Sequence, residues 1–113
     1  MNIFISDRQK NIFQKIEQSG ELVFSCGARG AIANLVGQFK VRRNHLNEDQ
    51  LDVGDGTCHV HIDWSRVKRF EVGLLHGEGV LTFFDTEEVL FRFYRLEGFF
   101  SEEITSLPKN IID

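Results

Sequence analysis

The apolar spacing of this chain changes period at Gly20. Before it, Ile12, Phe13 and Ile16 recur on one helical face behind Ser6 and Gln9, spaced as a capping box. Gly20 supplies the left-handed residue at which helices stop, so a helix is expected over residues 7–18. Beyond Gly20, short alternating segments separated by glycines predict strands over 21–26, 31–36, 38–43, 57–64, 67–72, 79–84 and 89–96. The connections are too short for parallel crossovers, which makes the sheet antiparallel and the strand order a meander. Residues 44–56 admit either a strand around Leu46 or a loop, and a hairpin around a type I turn is expected between Phe83 and Val89. In the last strand Val89, Phe91 and Phe93 share the core face. A short helix is expected from Ser101, limited by Pro108.

Length and composition fit a single α+β domain over residues 1–113, with the N-terminal helix packed on a broad antiparallel sheet of about six to eight strands. Eleven phenylalanines against one tyrosine and one tryptophan load the chain with rings that have no polar handle. Phe13, Phe24, Phe39, Phe70, Phe83, Phe91 and Phe93 lie in periodic segments and are expected in the core. No apolar run is long enough to span a bilayer and the first residues lack the layout of a signal peptide, so the expected compartment is the cytosol. Cys26 and Cys58 lack Cys-x-x-Cys spacing and are expected as reduced, buried thiols. A net charge of −4 argues against a nucleic-acid partner, while the basic clusters Lys40 to Arg43 and Arg66 to Arg69 suit either a small anionic ligand or solvated strand edges.

The chemistry-bearing segment is Thr57 to Trp64. Strand alternation puts Cys58, Val60, Ile62 and Trp64 on one face and Thr57, His59, His61 and Asp63 on the other. Two imidazoles on one face can hold a metal or the iron of a haem, or simply lie on a solvated surface. The cupin arrangement of ligands is not met, because Ser65 and Arg66 stand where its Glu would be and Glu71 comes too late. A third ligand would have to come from His45, His76, Asp63 or a neighbouring strand, with no spacing that announces it. The glycines in Cys26 to Gly30 and in Gly54 to Gly56 match no phosphate-binding pattern and read as turns. Residues Leu74 to Gly79 read as a flexible loop carrying His76, and no nucleophile elbow supports hydrolase chemistry.

The run from Gly56 to Val72, with its His59, followed by Leu81 to Gly98, resembles the C-terminal half of the cytosolic haem-utilisation proteins of the HutX/ChuX and HemS/ChuS type. Leu22 to Gly37 is similar to the pair of strands that precedes it there, so the resemblance covers roughly residues 20–98 and rests on order and pattern. It implies a protein, often a dimer, that binds haem in the cytosol after uptake and passes it on or helps in its breakdown, with His59 as axial ligand; a non-catalytic, homodimeric carrier is the leading expectation. Where carrier members often bring another His in the first strand, this chain has Ser25, Cys26 and Gly27. It also lacks much of the N-terminal helical portion of longer relatives.

Haem is a flat apolar macrocycle with two anionic propionates, so Phe-rich surface, one His and nearby guanidinium groups suffice to hold it. The candidate haem-binding set is His59, His61, Arg42, Arg43, Arg66 and Arg92, with His59 the metal ligand and no catalytic residue. The expected function is haem binding for intracellular transfer or utilisation. The alternatives are a haem-free structural or regulatory dimerisation module of the same fold, or a protein that binds a metal through its His-x-His strand.

Overall fold

The computed structural model describes residues 3–27 and 30–112. Helix α1 (Asp7–Glu17) is followed by β1 (Leu22–Cys26), β2 (Ala33–Gly37), β3 (Phe39–Arg43), β4 (Asp49–Val53) and β5 (Cys58–His61). A 3₁₀ turn (Trp64–Arg66) leads to β6 (Arg69–Leu75), β7 (Glu78–Asp85), β8 (Glu88–Arg95) and a one-turn helix α2 (Glu102–Thr105).

The eight strands divide into two antiparallel sheets where one broad sheet was expected. Five run in the order β2-β1-β8-β7-β6 and three in the order β3-β4-β5, so β1 lies beside β8 and the meander is broken. The chain passes from one sheet to the other at Gln38, whose carbonyl accepts from Gly54 N at 2.8 Å.

Helix α1 starts as its sequence requires, with Gln9 N donating to Ser6 Oγ at 3.0 Å. The Gln9 side chain does not return the reciprocal bond of a capping box to Ser6 N. Its Oε1 accepts from Ile5 N at 3.1 Å, and its Nε2 donates to the carbonyls of Trp64 at 2.9 Å and Val67 at 3.0 Å. A buried amide that satisfies its donors and its acceptor in this way ties the helix start to the link between β5 and β6.

One turn further on, Phe13 is the hub of the core. Its ring lies 4.7 Å from Trp64 and 5.0 Å from Phe83, centre to centre, and also meets Phe91 and Phe93. Phe39 joins the small sheet to the large one through Phe24 and Phe93. All seven phenylalanines read as core are buried. At the other end of α1, Glu17 Oε1 accepts from Val41 N at 2.7 Å, which occupies the outer edge of β3. The C-terminal tail lies against the start of β6, with Phe70 N donating to Lys109 O and Ile111 N to Lys68 O.

Several local expectations are corrected. The strand between β3 and β5 is Asp49–Val53, while Leu46 sits in the turn before it, where Asn47 takes a positive φ of 63°. Ile62 and Asp63 lie outside β5, and Trp64 reaches the core from a turn that Asp63 caps through Ser65 N. His76 is not in a flexible loop. It and Gly77 are the two-residue link of the β6–β7 hairpin, both at positive φ (52° and 82°), as type I′ turns require. The β7–β8 link is likewise two residues, and Thr86 at a φ of 52° rules out the type I turn expected there. A register shift between Phe83 and Phe84 turns Val89 out of the core face and leaves it exposed. Cys58 is exposed and Cys26 half-buried, so neither thiol is the buried one expected. Of the turn expected over Cys26 to Gly30, residues 28 and 29 lie outside the described residues.

Because Phe13 and Gln9 carry the packing between the layers, both are expected to be costly to remove. Phe13→Ala should lose about 3–5 kcal/mol. Gln9→Leu should lose about 1–3 kcal/mol by leaving the buried Val67 carbonyl without a donor. Urea unfolding followed by circular dichroism measures both, and a Phe13→Ala midpoint equal to that of the parent would contradict this account of the core.

Candidate functional site

Cross-strand register brings the polar side chains of the small sheet into two rows. Arg42, Gln50 and His61 lie side by side, and next to them Lys40, Asp52 and His59. The two imidazoles share this outward face as alternation requires, with ring centres 5.1 Å apart and planes at 81°. Both His residues are exposed. His61 Nδ1 lies 3.4 Å from the Asp49 carbonyl, a long contact.

The centre of this face is less exposed than its surroundings. Asp52, only 6% exposed, receives hydrogen bonds from Arg42 Nε and from Gln50 Nε2. Asn44 Nδ2 in turn donates to Gln50 Oε1 at 2.9 Å. Arg42 is thereby neutralised by a nearly buried carboxylate, while Arg43, on the opposite face, pairs with Asp49 at 2.6 Å.

Where β5 ends against the large sheet, the two sheets leave a cleft of 230 Å³. Its floor is apolar, formed by Phe24, Val60, Ile62, Leu90 and Phe91, and its rim carries His61, Asp63, Arg66 and Cys26. Burial pushes the Cys26 thiol above its ordinary range. Arg66 is held by Asp85 at 2.9 Å through Nε and by Glu88 at 3.0 Å through Nη2. Among the described residues its Nη1 makes no hydrogen bond. Hydrogen bonds from Lys68 and Arg66 hold the Asp85 carboxyl below the usual carboxylate range. A depressed carboxylate keeps its charge as pH falls through that range, so the pairing of Asp85 with Lys68 and Arg66 persists in mild acid and is lost only below it.

Arg92 lies elsewhere, on the outer face of the large sheet between Ser25 and Thr82. Among the described residues it has no ion pair. The six candidate residues therefore do not form one constellation. His61 and Arg66 border the cleft, His59 and Arg42 lie on the adjoining polar face, and Arg43 and Arg92 point elsewhere. Cys26, Phe24 and Leu90 were absent from the sequence-derived set because they reach the cleft only when β1 and β8 pair. The described residues contain no group of three His, Cys, Asp or Glu placed to hold a metal, and no helix long and apolar enough to cross a membrane.

An α+β chain with one helix against two antiparallel sheets has solved counterparts. One is ChuX, which aligns with a TM-score of 0.59 at 12% identity over 88% of this chain and 67% of its own. Another is a protein of Erwinia carotovora, with a TM-score of 0.58 at 18% identity over 78% of this chain. This chain spans 57% of the Erwinia protein's length. No family model matches the sequence, and no curated protein matches it. The fold is thus ChuX-like.

The two thiols are expected to differ in reactivity. Exposed Cys58 should be alkylated by iodoacetamide well before Cys26, whose burial and raised pKa slow it. Mass spectrometry of a time course at pH 8 separates the two, and faster labelling of Cys26 would mean that the cleft is open wider than described.

Proposed function

We propose that the protein is a non-catalytic, cytosolic haem-binding protein that holds its ligand edge-on in the cleft between the two sheets. The observation that carries this reading is the cleft itself: an apolar floor of Phe24, Val60, Ile62, Leu90 and Phe91 with an imidazole-bearing strand end and a guanidinium at its rim. The ChuX-like fold and the resemblance of residues 20–98 to haem-utilisation proteins support it.

At 230 Å³ the cleft is smaller than the roughly 300–1,000 Å³ of sites that enclose a drug-sized ligand. The macrocycle therefore inserts one edge and stands across the end of β5, an arrangement suited to a ligand that must be passed on. His61, at the rim, is the iron ligand, with His59 next along the same face. The resemblance favours His59 and the cleft favours His61. Arg66 offers its free Nη1 to a propionate. Arg42, Arg43 and Arg92 are less suited because none of them borders the cleft.

Hemin titration tests the reading. A saturable, shifted Soret band is expected, weakened by roughly tenfold or more in affinity by His61→Ala, less by His59→Ala, and unchanged by His76→Ala. A Soret band that stays that of free hemin overturns it.

A second copy of the chain is part of the proposal. The tail occupies the edge of β6 only as far as Phe70, so the outward backbone groups of Val72 and Leu74 have no partner among the described residues. Exposed Val72, Leu74 and Leu75 line that edge. Such an edge favours strand-to-strand pairing. Leu74→Lys is expected to shift a dimer to monomer in sedimentation velocity, whereas a parent protein monomeric at high concentration would remove the dimer from the reading.

A further inference from the structure

The His59–His61 pair has a ring spacing that suits a chelate independent of any haem. An imidazole nitrogen binds zinc at about 2.0–2.1 Å, which puts each ring centre about 3.2 Å from the ion and two tetrahedrally placed rings about 5.2 Å apart. The observed separation is 5.1 Å. Two residues along a strand is the shortest step that returns side chains to one face, and both rings are exposed, so small rotations can aim one nitrogen of each at a common point.

The electrostatic surroundings allow a cation there. Arg42, the nearest guanidinium on this face, is neutralised by Asp52, and Lys40 stands on β3, two strands away or roughly 10 Å. Asp63 is engaged by Ser65 through both its N–H and its hydroxyl, and Asp52 by Arg42 and Gln50. Both oxygens of Asp52 are taken, whereas only Oδ1 of Asp63 is; the described residues hold no group of three His, Cys, Asp or Glu placed to share an ion, so water completes the coordination.

We propose that His59 and His61 form a two-imidazole site for a borderline divalent transition cation, with Zn²⁺ as the fitting ion. An open coordination sphere of this kind binds reversibly, because half of its ligands exchange with solvent.

The test is a Zn²⁺ titration of the haem-free protein against a chromogenic indicator. The expected result is one site per chain, with affinity lowered roughly tenfold or more by His59→Ala and by His61→Ala and unaltered by His45→Ala. Far-UV circular dichroism checks that each variant keeps the parent fold. Equal affinity in the parent and both strand variants, or an equal loss in His45→Ala, overturns the proposal, as does failure of the parent to compete for Zn²⁺. Hemin is absent from the titration, so its outcome does not depend on the haem reading. The same variants titrated with hemin report separately on that.

Discussion

The arrangement of the two sheets depends on one side-chain amide. Gln9 reaches from the first turn of α1 to the carbonyls of Trp64 and Val67, on either side of the 3₁₀ turn that carries the chain from the small sheet to the large one. Those carbonyls belong to a segment outside any ladder; Trp64 O also accepts from Val67 N, but without Gln9 the buried Val67 carbonyl would have no donor among the described residues. By fixing that link, the amide also fixes where β5 ends relative to β8, and hence the width of the cleft. Phe13 then fills the space above the link, with Trp64 on one side and Phe83 on the other.

The sequence was most informative where a single local signal sufficed. Ser6 and Gly20 bracket the helix as expected, and alternation placed His59 and His61 on one outward face. It was least informative where geometry is set between distant elements. Nothing local distinguishes one eight-stranded sheet from a split of five and three, because the corner at Gln38 has neither proline nor a marked turn pattern. The strand at Asp49–Val53 was hidden by its own composition. Its two acidic residues and a glutamine do not resemble a strand until Arg42 and Arg43 are seen to pair with them.

The candidate site shows the same division. Residue types were legible: two His on one strand face and several guanidinium groups. Their grouping was not. Arg66 and His61 come together at the cleft rim because the 3₁₀ turn folds back toward the β7–β8 link, where Asp85 and Glu88 catch Arg66. Arg92 looked equivalent in the sequence, yet strand parity sends it to the opposite side of the large sheet from Phe91 and Phe93.

The placement of β1 beside β8 bears on how the molecule is made. Val23 pairs with Tyr94, a partner roughly seventy residues further along, and with Val36 on its other side. During synthesis the β1–β2 hairpin can form early, but it must wait with one edge unpaired until β8 has left the ribosome. Closing so long a loop makes folding slow compared with a helical chain of the same length. In that interval Phe24, destined for the core, has no large sheet to pack against. Assembly of the large sheet is therefore the step at which the nascent protein is most exposed to aggregation and to chaperone capture.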